Sequence, residues 1–238
     1  MSEDFTLPLF FGGIIQHFQA GSSHFNMNRF LVKYPSILRW FYPKRPSRIK
    51  APKSIYLTFD DGPIPGITPW VLEQLRKYNA KATFFCIGEN IEKHPEVFQQ
   101  VVSEGHQIGN HSFHHLNGWK TSTSEYIKDV LITEDLLNKE YPENPQPKLF
   151  RPPFGKIKNS QARKLTEQGF KIVMWDVISW DFDSDIKKET CHKNVIKNAK
   201  EGSIIVFHDS EKALKNLKYA LPKVLKYFSD KGYEFKSL

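Results

Sequence analysis

From Ser54 onward the chain alternates short apolar runs with longer stretches in which apolar residues recur every three or four positions. The first pattern predicts buried strands and the second predicts amphipathic helices. Strand-like runs cover 54–59, 81–87, 106–110, 148–150, 170–176, 203–207 and 233–236. Helical patterns fill the intervals at 69–78, 95–104, 124–140, 159–168, 187–200 and 214–229. Gly105, Gly169, Gly202 and Gly232 stand just past four of these helices, where a left-handed C-terminal cap favours glycine. Strand–helix alternation with near-continuous apolar strands predicts a parallel sheet covered by helices.

Before Ser54 the pattern is weaker. Residues 1 to about 26 show no clear period, and Met27 offers an alternative start. Residues 29–50 mix aromatic and basic side chains, as in Arg39-Trp40-Phe41-Tyr42-Pro43-Lys44-Arg45. We therefore read 1–50 as a partly irregular N-terminal leader and 51–238 as a single domain. The basic and aromatic segment has two readings at this point: a strip packed on the outside of the domain, or an interfacial contact with a membrane.

Polar residues collect where the predicted strands end. Asp60 and Asp61 follow the first, His111 the third, Arg151 the fourth, Asp176 and Asp181 the fifth, and His208 with Asp209 the sixth. That distribution suits a (β/α) barrel, in which the loops after all strands converge on one mouth. An open doubly wound sheet would focus residues at a single crevice instead.

The chemistry of those residues sharpens the picture. Asp60 and Asp61 close an apolar run, Tyr56-Leu57-Thr58-Phe59-Asp60-Asp61, that Gly62-Pro63 cuts off. Neighbouring side chains of a regular strand point to opposite faces, so both carboxylates reach one site only where the backbone begins to turn. Two anions that close repel unless a metal ion or a raised pKa relieves them. Taken alone, the octet is equally a plain turn junction that suits Asp and Gly. Some fifty residues on, His111 and His115 stand four apart in Gly109-Asn110-His111-Ser112-Phe113-His114-His115. One carboxylate with two imidazoles is a donor set for zinc and neighbouring first-row metals that leaves positions open for water and substrate.

Composition excludes some alternatives. The chain has 238 residues, 39% of them apolar, which is enough for a sizeable core. Its net charge of +8 comes from 34 basic against 26 acidic residues, but no reader motif or concentrated basic face points to nucleic acid. Cys86 and Cys191 are the only cysteines, and Cys86 lies in a predicted buried strand, which favours a structural thiol over a disulfide. The uncharged stretch 5–18 is too short to span a bilayer and is broken by Pro8, Gly12 and Gly13. It follows Glu3 and Asp4 where a signal peptide would carry positive charge, so the cytoplasm is the default expectation, with the cell envelope as the alternative.

Five segments, in order, resemble the motifs of the polysaccharide deacetylase family, the NodB-homology carbohydrate esterases. They are Thr58-Phe59-Asp60-Asp61-Gly62-Pro63, His111-Ser112-Phe113-His114-His115, Arg151-Pro152-Pro153-Phe154-Gly155, Trp175 through Phe182, and Val206-Phe207-His208-Asp209. The resemblance implies an α/β fold, a distorted (β/α) barrel of about seven strands, with a bound divalent metal, usually zinc. It implies Asp61, His111 and His115 as ligands and Asp60 as the base that takes a proton from the attacking water. It further implies His208 as the acid, Arg151 holding Asp60, Asp181 supporting His208, and the backbone N–H of Phe154 helping to bind the oxyanion. Trp175 and Trp180 read as barrel packing, with a wall of the acetyl pocket as the alternative for Trp180, and Val206 is placed on the substrate side. Asp176 is either a supporting residue of the site or a solvated strand end, and Asp209 either orients a ligand or begins the next helix. The implied reaction is hydrolysis of the N-acetyl group of amino sugars in peptidoglycan, chitin-like oligomers or another surface polysaccharide.

Phe182, Val206 and Phe154 depart from the commoner Trp, Leu and Tyr of the family. These apolar exchanges leave acyl and sugar preference open without removing a ligand or proton donor. Two further readings stay open: an amidohydrolase or O-acetyl esterase of the same fold, and an inactive metal- or carbohydrate-binding relative.

Overall fold

The computed structural model describes residues 32–145 and 147–238. Seven parallel strands lie in the order β5-β4-β3-β2-β1-β7-β6. They are β1 (Ser54–Asp60), β2 (Ala82–Cys86), β3 (Gln107–Asn110), β4 (Lys148–Phe150), β5 (Phe170–Ile172), β6 (Val177–Ile178) and β7 (Ile204–His208). A short β8 (Glu234–Phe235) pairs with the start of β1. The sheet curls into a distorted (β/α) barrel, as the family resemblance implies.

Every residue of β1 is buried, and its alternation divides the two cores. Ile55, Leu57 and Phe59 join the layer beneath the helices, where Phe59 stacks on Phe84 and Phe207 with centroids 5.0 and 6.2 Å away. Tyr56 packs with Phe85, Leu149, Val173 and Ile204 in a second cluster, which is the barrel interior. By the period of two, Thr58 and Asp60 share the interior face with Tyr56. Fully burying one such aromatic side chain is worth about 1.5–3 kcal/mol, so the helical layer alone anchors the strand firmly.

Helices cover the outside: α1 (Ser36–Phe41), α2 (Thr68–Arg76), α3 (Gly88–Lys93), α4 (Pro95–Ser103), α5 (Thr123–Glu140), α6 (Asn159–Glu167), α7 (Lys188–Asn198) and α8 (Leu214–Asp230). Two were not foreseen from the pattern, α1 and α3. Each has six residues, too few for a helical period to emerge. Both cysteines are free and buried.

Of the predicted strand 170–176 only Phe170–Ile172 is strand, and a separate strand, β6, begins at Val177, which corrects the reading of Asp176. After β5 the chain leaves the β4 edge and returns beside β7 as β6, so Asp176 stands at the start of a strand rather than at its end. It neither supports the mouth nor faces solvent. Its carboxylate is fully buried and paired with Arg39, with Lys33 and Arg48 at 3.9 and 3.8 Å and the Ser203 hydroxyl donating at 2.6 Å. Residues 32–49 thereby run along the open seam between the sheet's two edge strands. The Ile178 N–H donates to Val32 O at 2.9 Å, that of Tyr34 to Asp176 O at 3.1 Å, and that of Met174 to Pro46 O at 2.9 Å. The first thirty-one residues of the leader, its period-free stretch among them, lie outside the described residues.

Candidate active site

The mouth is built from strand ends. In register, Asp60 of β1 is the Cα partner of His208 on β7 and of Phe85 on β2, which sets carboxylate and imidazole on neighbouring strands. Asp60 projects inward with Thr58. The next residue would point outward on a regular strand, but Asp61 adopts φ +85°, a left-handed conformation that Asp tolerates better than most residues. That single turn brings both carboxylates to one mouth. Asn90 on α3 donates from Nδ2 to the Asp61 carbonyl at 2.7 Å and holds the turn.

Asp61 Oδ1 lies 3.4 Å from His115 Nε2 and 3.8 Å from His111 Nε2. Ligand atoms of a tetrahedral ion at about 2.1 Å stand roughly 3.4 Å apart, so the three donors fit a small divalent cation. Among the described residues, Asp61, His111 and His115 form the group able to hold a metal ion, with ligand atoms within 4.8 Å of one another. His111 is buried and donates Nδ1–H to Arg151 O at 2.7 Å, which leaves Nε2 as the lone-pair donor toward Asp61. Burial, followed by the His115 charge, lowers the His111 pKa to about 3, so its imidazole is neutral and ready to coordinate. Burial lowers His115 as well.

The histidine loop is held from below. Asn110 Oδ1 accepts the Ser112 N–H at 2.9 Å, and Asp129 on α5 accepts those of Phe113 and His114 at 2.9 and 3.1 Å. Asp129 also meets His114 Nδ1 at 2.5 Å, which turns that exposed ring away from the mouth. Asp129 and Asn90 were not singled out in the sequence. Each sits on a helix distant from the motifs, and only tertiary contact reveals its part.

Arg151 is fully buried at the centre of the barrel. Its Nη1 donates to Asp60 Oδ1 and to Thr58 Oγ1, both at 2.7 Å, and its Nη2 donates to Met174 O at 3.2 Å. Its guanidinium lies 4.1 Å above the Phe85 ring. Asp60 is thus fixed as an oriented acceptor.

On the opposite side Asp181, itself fully buried, accepts the His208 backbone N–H at 2.8 Å and sits 2.8 Å from His208 Nδ1. Burial alone would lower the His208 pKa, but the charge and hydrogen bond of Asp181, with Asp61 and Asp60 beyond, raise it to about 9. Phe182 packs 4.8 Å from the His208 ring and 5.2 Å from Trp180, whose buried Nε1 has no hydrogen-bond partner among the described residues. Val206 shares the inward face of β7 with His208 and is buried. Phe154 takes φ +59° in a short 3₁₀ turn, its half-exposed ring 4.6 Å from His115. The N–H groups of Gly155 and Lys156 are used by Pro152 O and Pro153 O, whereas that of Phe154 has no partner among the described residues.

Asp209 does not reach the mouth. It accepts the Gly62 N–H at 3.0 Å and the Thr68 hydroxyl at 2.6 Å, tying the aspartate turn to the start of α2. The approach is so close that a Cβ on Gly62 would fall 2.0 Å from Asp209 Oδ2, which accounts for the glycine.

Fold and site together define a barrel protein of the hydrolase type, with a three-residue metal-type cluster flanked by a held carboxylate and a raised histidine. Comparison with known proteins carries the assignment further. The polysaccharide deacetylase family model matches residues 47–173. A Bacillus cereus peptidoglycan-N-acetylglucosamine deacetylase is 39% identical over 185 residues, covering 77% of this chain and 66% of that protein. The peptidoglycan-N-acetylmuramic acid deacetylase PdaC of Bacillus subtilis is 34% identical over 182 residues, covering 76% of this chain but 37% of its own length. The solved structure of Bacillus subtilis PdaC superposes with a TM-score of 0.70 at 32% identity, covering 79% of this chain and 88% of that one. The Bc1960 peptidoglycan N-acetylglucosamine deacetylase superposes at 0.77 with 35% identity, covering 86% and 95%. The chain belongs to the polysaccharide deacetylase family.

Proposed function

We propose that this protein is a metal-dependent deacetylase that hydrolyses the N-acetyl group of amino sugars in peptidoglycan. The observation that carries the reading is the convergence of Asp60, Asp61, His111, His115, Arg151, Asp181 and His208 on one mouth. The sugar class follows from the relatives, which are named for peptidoglycan. That substrate belongs to the cell envelope, and nothing supports the cytoplasmic default. Asp61, His111 and His115 would hold the ion, and their one-oxygen, two-nitrogen set favours zinc. A divalent cation there supplies an acidified water and a polarised carbonyl.

The chain's own groups do the rest. Asp60, held in place by Arg151, takes a proton from the water that attacks the acetyl carbon. The Phe154 N–H, pre-set by its left-handed backbone, donates to the oxygen on which charge develops. His208, protonated at neutral pH with Asp181 behind it, delivers a proton to the nitrogen as the C–N bond breaks. Acetate and a free amine leave. Trp180 and Val206 border the space for the acetyl methyl.

Acetate release from N-acetylglucosamine oligomers and from peptidoglycan, with and without a chelator, tests the reading. Release abolished by the chelator and restored by Zn²⁺ supports it. No release from either glycan, alongside turnover of small synthetic amides or esters, would transfer the protein to another acyl substrate.

Residues 32–50 support a second, peripheral partner, an anionic lipid surface. The stretch carries Lys33, Arg39, Lys44, Arg45, Arg48 and Lys50 and no acidic residue. Its short helix α1 exposes Ile37, Trp40 and Phe41. Through Asp176 and Gly202 the segment is tied to the residues that lead into β6 and β7. Flotation with phosphatidylglycerol vesicles should carry the wild type but not Trp40→Glu/Phe41→Glu, and equal partitioning of the two would end the idea. No helix among the described residues is long and apolar enough to cross a membrane.

A further inference from the structure

We infer that Trp119, with Lys156 and the open face of Phe154, forms a sugar-binding subsite beside the mouth that favours an acidic sugar next to the residue being deacetylated. The inference rests on the deacetylase reading and names part of its substrate class.

Trp119 and Phe154 are among the large apolar side chains left exposed. Trp119 follows His115 by four residues, in the loop that leaves the histidine cluster. Phe154 lies against the His115 ring, and Lys156, two residues on, places Nζ 5.4 Å from the Trp119 ring centroid. Phe154, Lys156 and Trp119 thus make a run of neighbours that starts at the His115 ring. Among the described residues Lys156 makes no ion pair, so its charge is available to a ligand.

The platform is rigid, which separates it from a stray surface tryptophan. Asn117 Oδ1 accepts the Trp119 N–H at 3.1 Å, and its carbonyl accepts those of Lys120 and the Thr121 hydroxyl, both at 2.9 Å. The buried Gln161 at the start of α6 donates to Gly118 O at 2.9 Å, and Lys158 Nζ to Thr121 O at 2.7 Å. Gly118 is seated so closely on the Lys156 backbone that a Cβ would fall 2.4 Å from the Lys156 carbonyl. Loop and lysine are thus one unit.

The chemistry fits a pyranose. An aromatic face carries negative quadrupolar charge and accepts the polarised C–H bonds of a sugar ring packed flat upon it. A ring held in place before binding loses little conformational entropy when the ligand arrives. Lys156 adds a point charge for a carboxylate, the group that separates an acidic amino sugar from a neutral one.

The test compares the wild type, Trp119→Ala, Trp119→Phe and Lys156→Gln on two tetrasaccharides. One is the neutral N-acetylglucosamine tetramer, and the other is a peptidoglycan fragment with lactyl carboxylates. Trp119→Ala should raise KM at least about fivefold on both with a smaller change in kcat, and Trp119→Phe should recover most of that loss. Lys156→Gln should raise KM on the acidic fragment more than on the neutral one. Unchanged KM values in both Trp119→Ala and Lys156→Gln would overturn the subsite while leaving the deacetylase reading intact. Should the wild type release no acetate, calorimetric titration with the same fragments decides the matter. Weaker binding by Trp119→Ala would uphold the subsite, and equal or absent binding would overturn it.

Discussion

Asp181 grips His208 at two points, one carboxylate oxygen on the backbone N–H and the other on Nδ1, each at 2.8 Å. The first contact fixes where the residue sits and the second fixes its charge. His208 acts as an acid only while protonated, so activity should fall as pH rises through its pKa, about 9 before any cation offsets the neighbouring carboxylates. Asp181→Asn removes the principal upward push. The basic limb of the kcat/KM profile should then move to lower pH, and a limb left in place would deny His208 the acid role.

Arg151 and Asp60 make a buried pair in which each satisfies the other. Arg151→Met leaves the Asp60 carboxylate in the interior without its cation. The expected cost is about 3–5 kcal/mol, read as a lower urea midpoint. Adding Asp60→Asn should recover part of that loss, because the orphaned charge is gone. A single variant as stable as wild type would show that the Arg151–Asp60 pair does not hold the fold together.

Base and ligand should separate in experiment. Asp60→Asn should retain the metal, measured as bound zinc after gel filtration, while losing roughly 10²–10⁴-fold in turnover. His111→Ala should lose the metal itself. If Asp60→Asn shed its zinc along with its activity, Asp60 would be a ligand and the division proposed between the two aspartates would fail.

Asp209 sets a pH dependence of stability rather than of catalysis. Burial raises its pKa from 3.8 to about 7, against the opposing hydrogen bonds from Thr68 and Gly62. The folded chain thus holds this proton more tightly than the unfolded one. The stability it contributes is fully present below pH about 4 and is lost as pH rises through about 7. Asp209→Asn keeps a neutral acceptor for the Gly62 N–H, so its melting temperature should decline less than that of the wild type between pH 5 and 8. Parallel curves would exclude Asp209 as the source.

Much of the molecule was legible in its sequence because strand and helix periods are local. The runs at 54–59 and 148–150 and the helix at 159–168 each match the structure to within a residue or so. The run 170–176 misled because nothing local marks where a chain leaves one sheet edge for another. The break at Val173–Asp176 is set by partners far along the chain, Pro46 O for Met174 and Ile204 O for Asp176. Asp176 consequently sits at the opposite end of a strand from the one its position suggested, among cations supplied by residues 33–48.

The same division runs through the site. Residue type and order along the chain determined the chemistry on offer: two adjacent carboxylates at a strand end, two imidazoles four apart, one arginine before a proline pair, one histidine closing a strand. These are properties of a few contiguous residues, and a donor's affinity for metal or proton is intrinsic to its side chain. What only the tertiary structure decided is which of them share a point in space and in what state. The left-handed turn at Asp61, the neutral His111, the raised His208 and the rigid Trp119 loop all depend on neighbours brought close by packing. Burial and charge act through distance in space, and sequence separation says little about that distance.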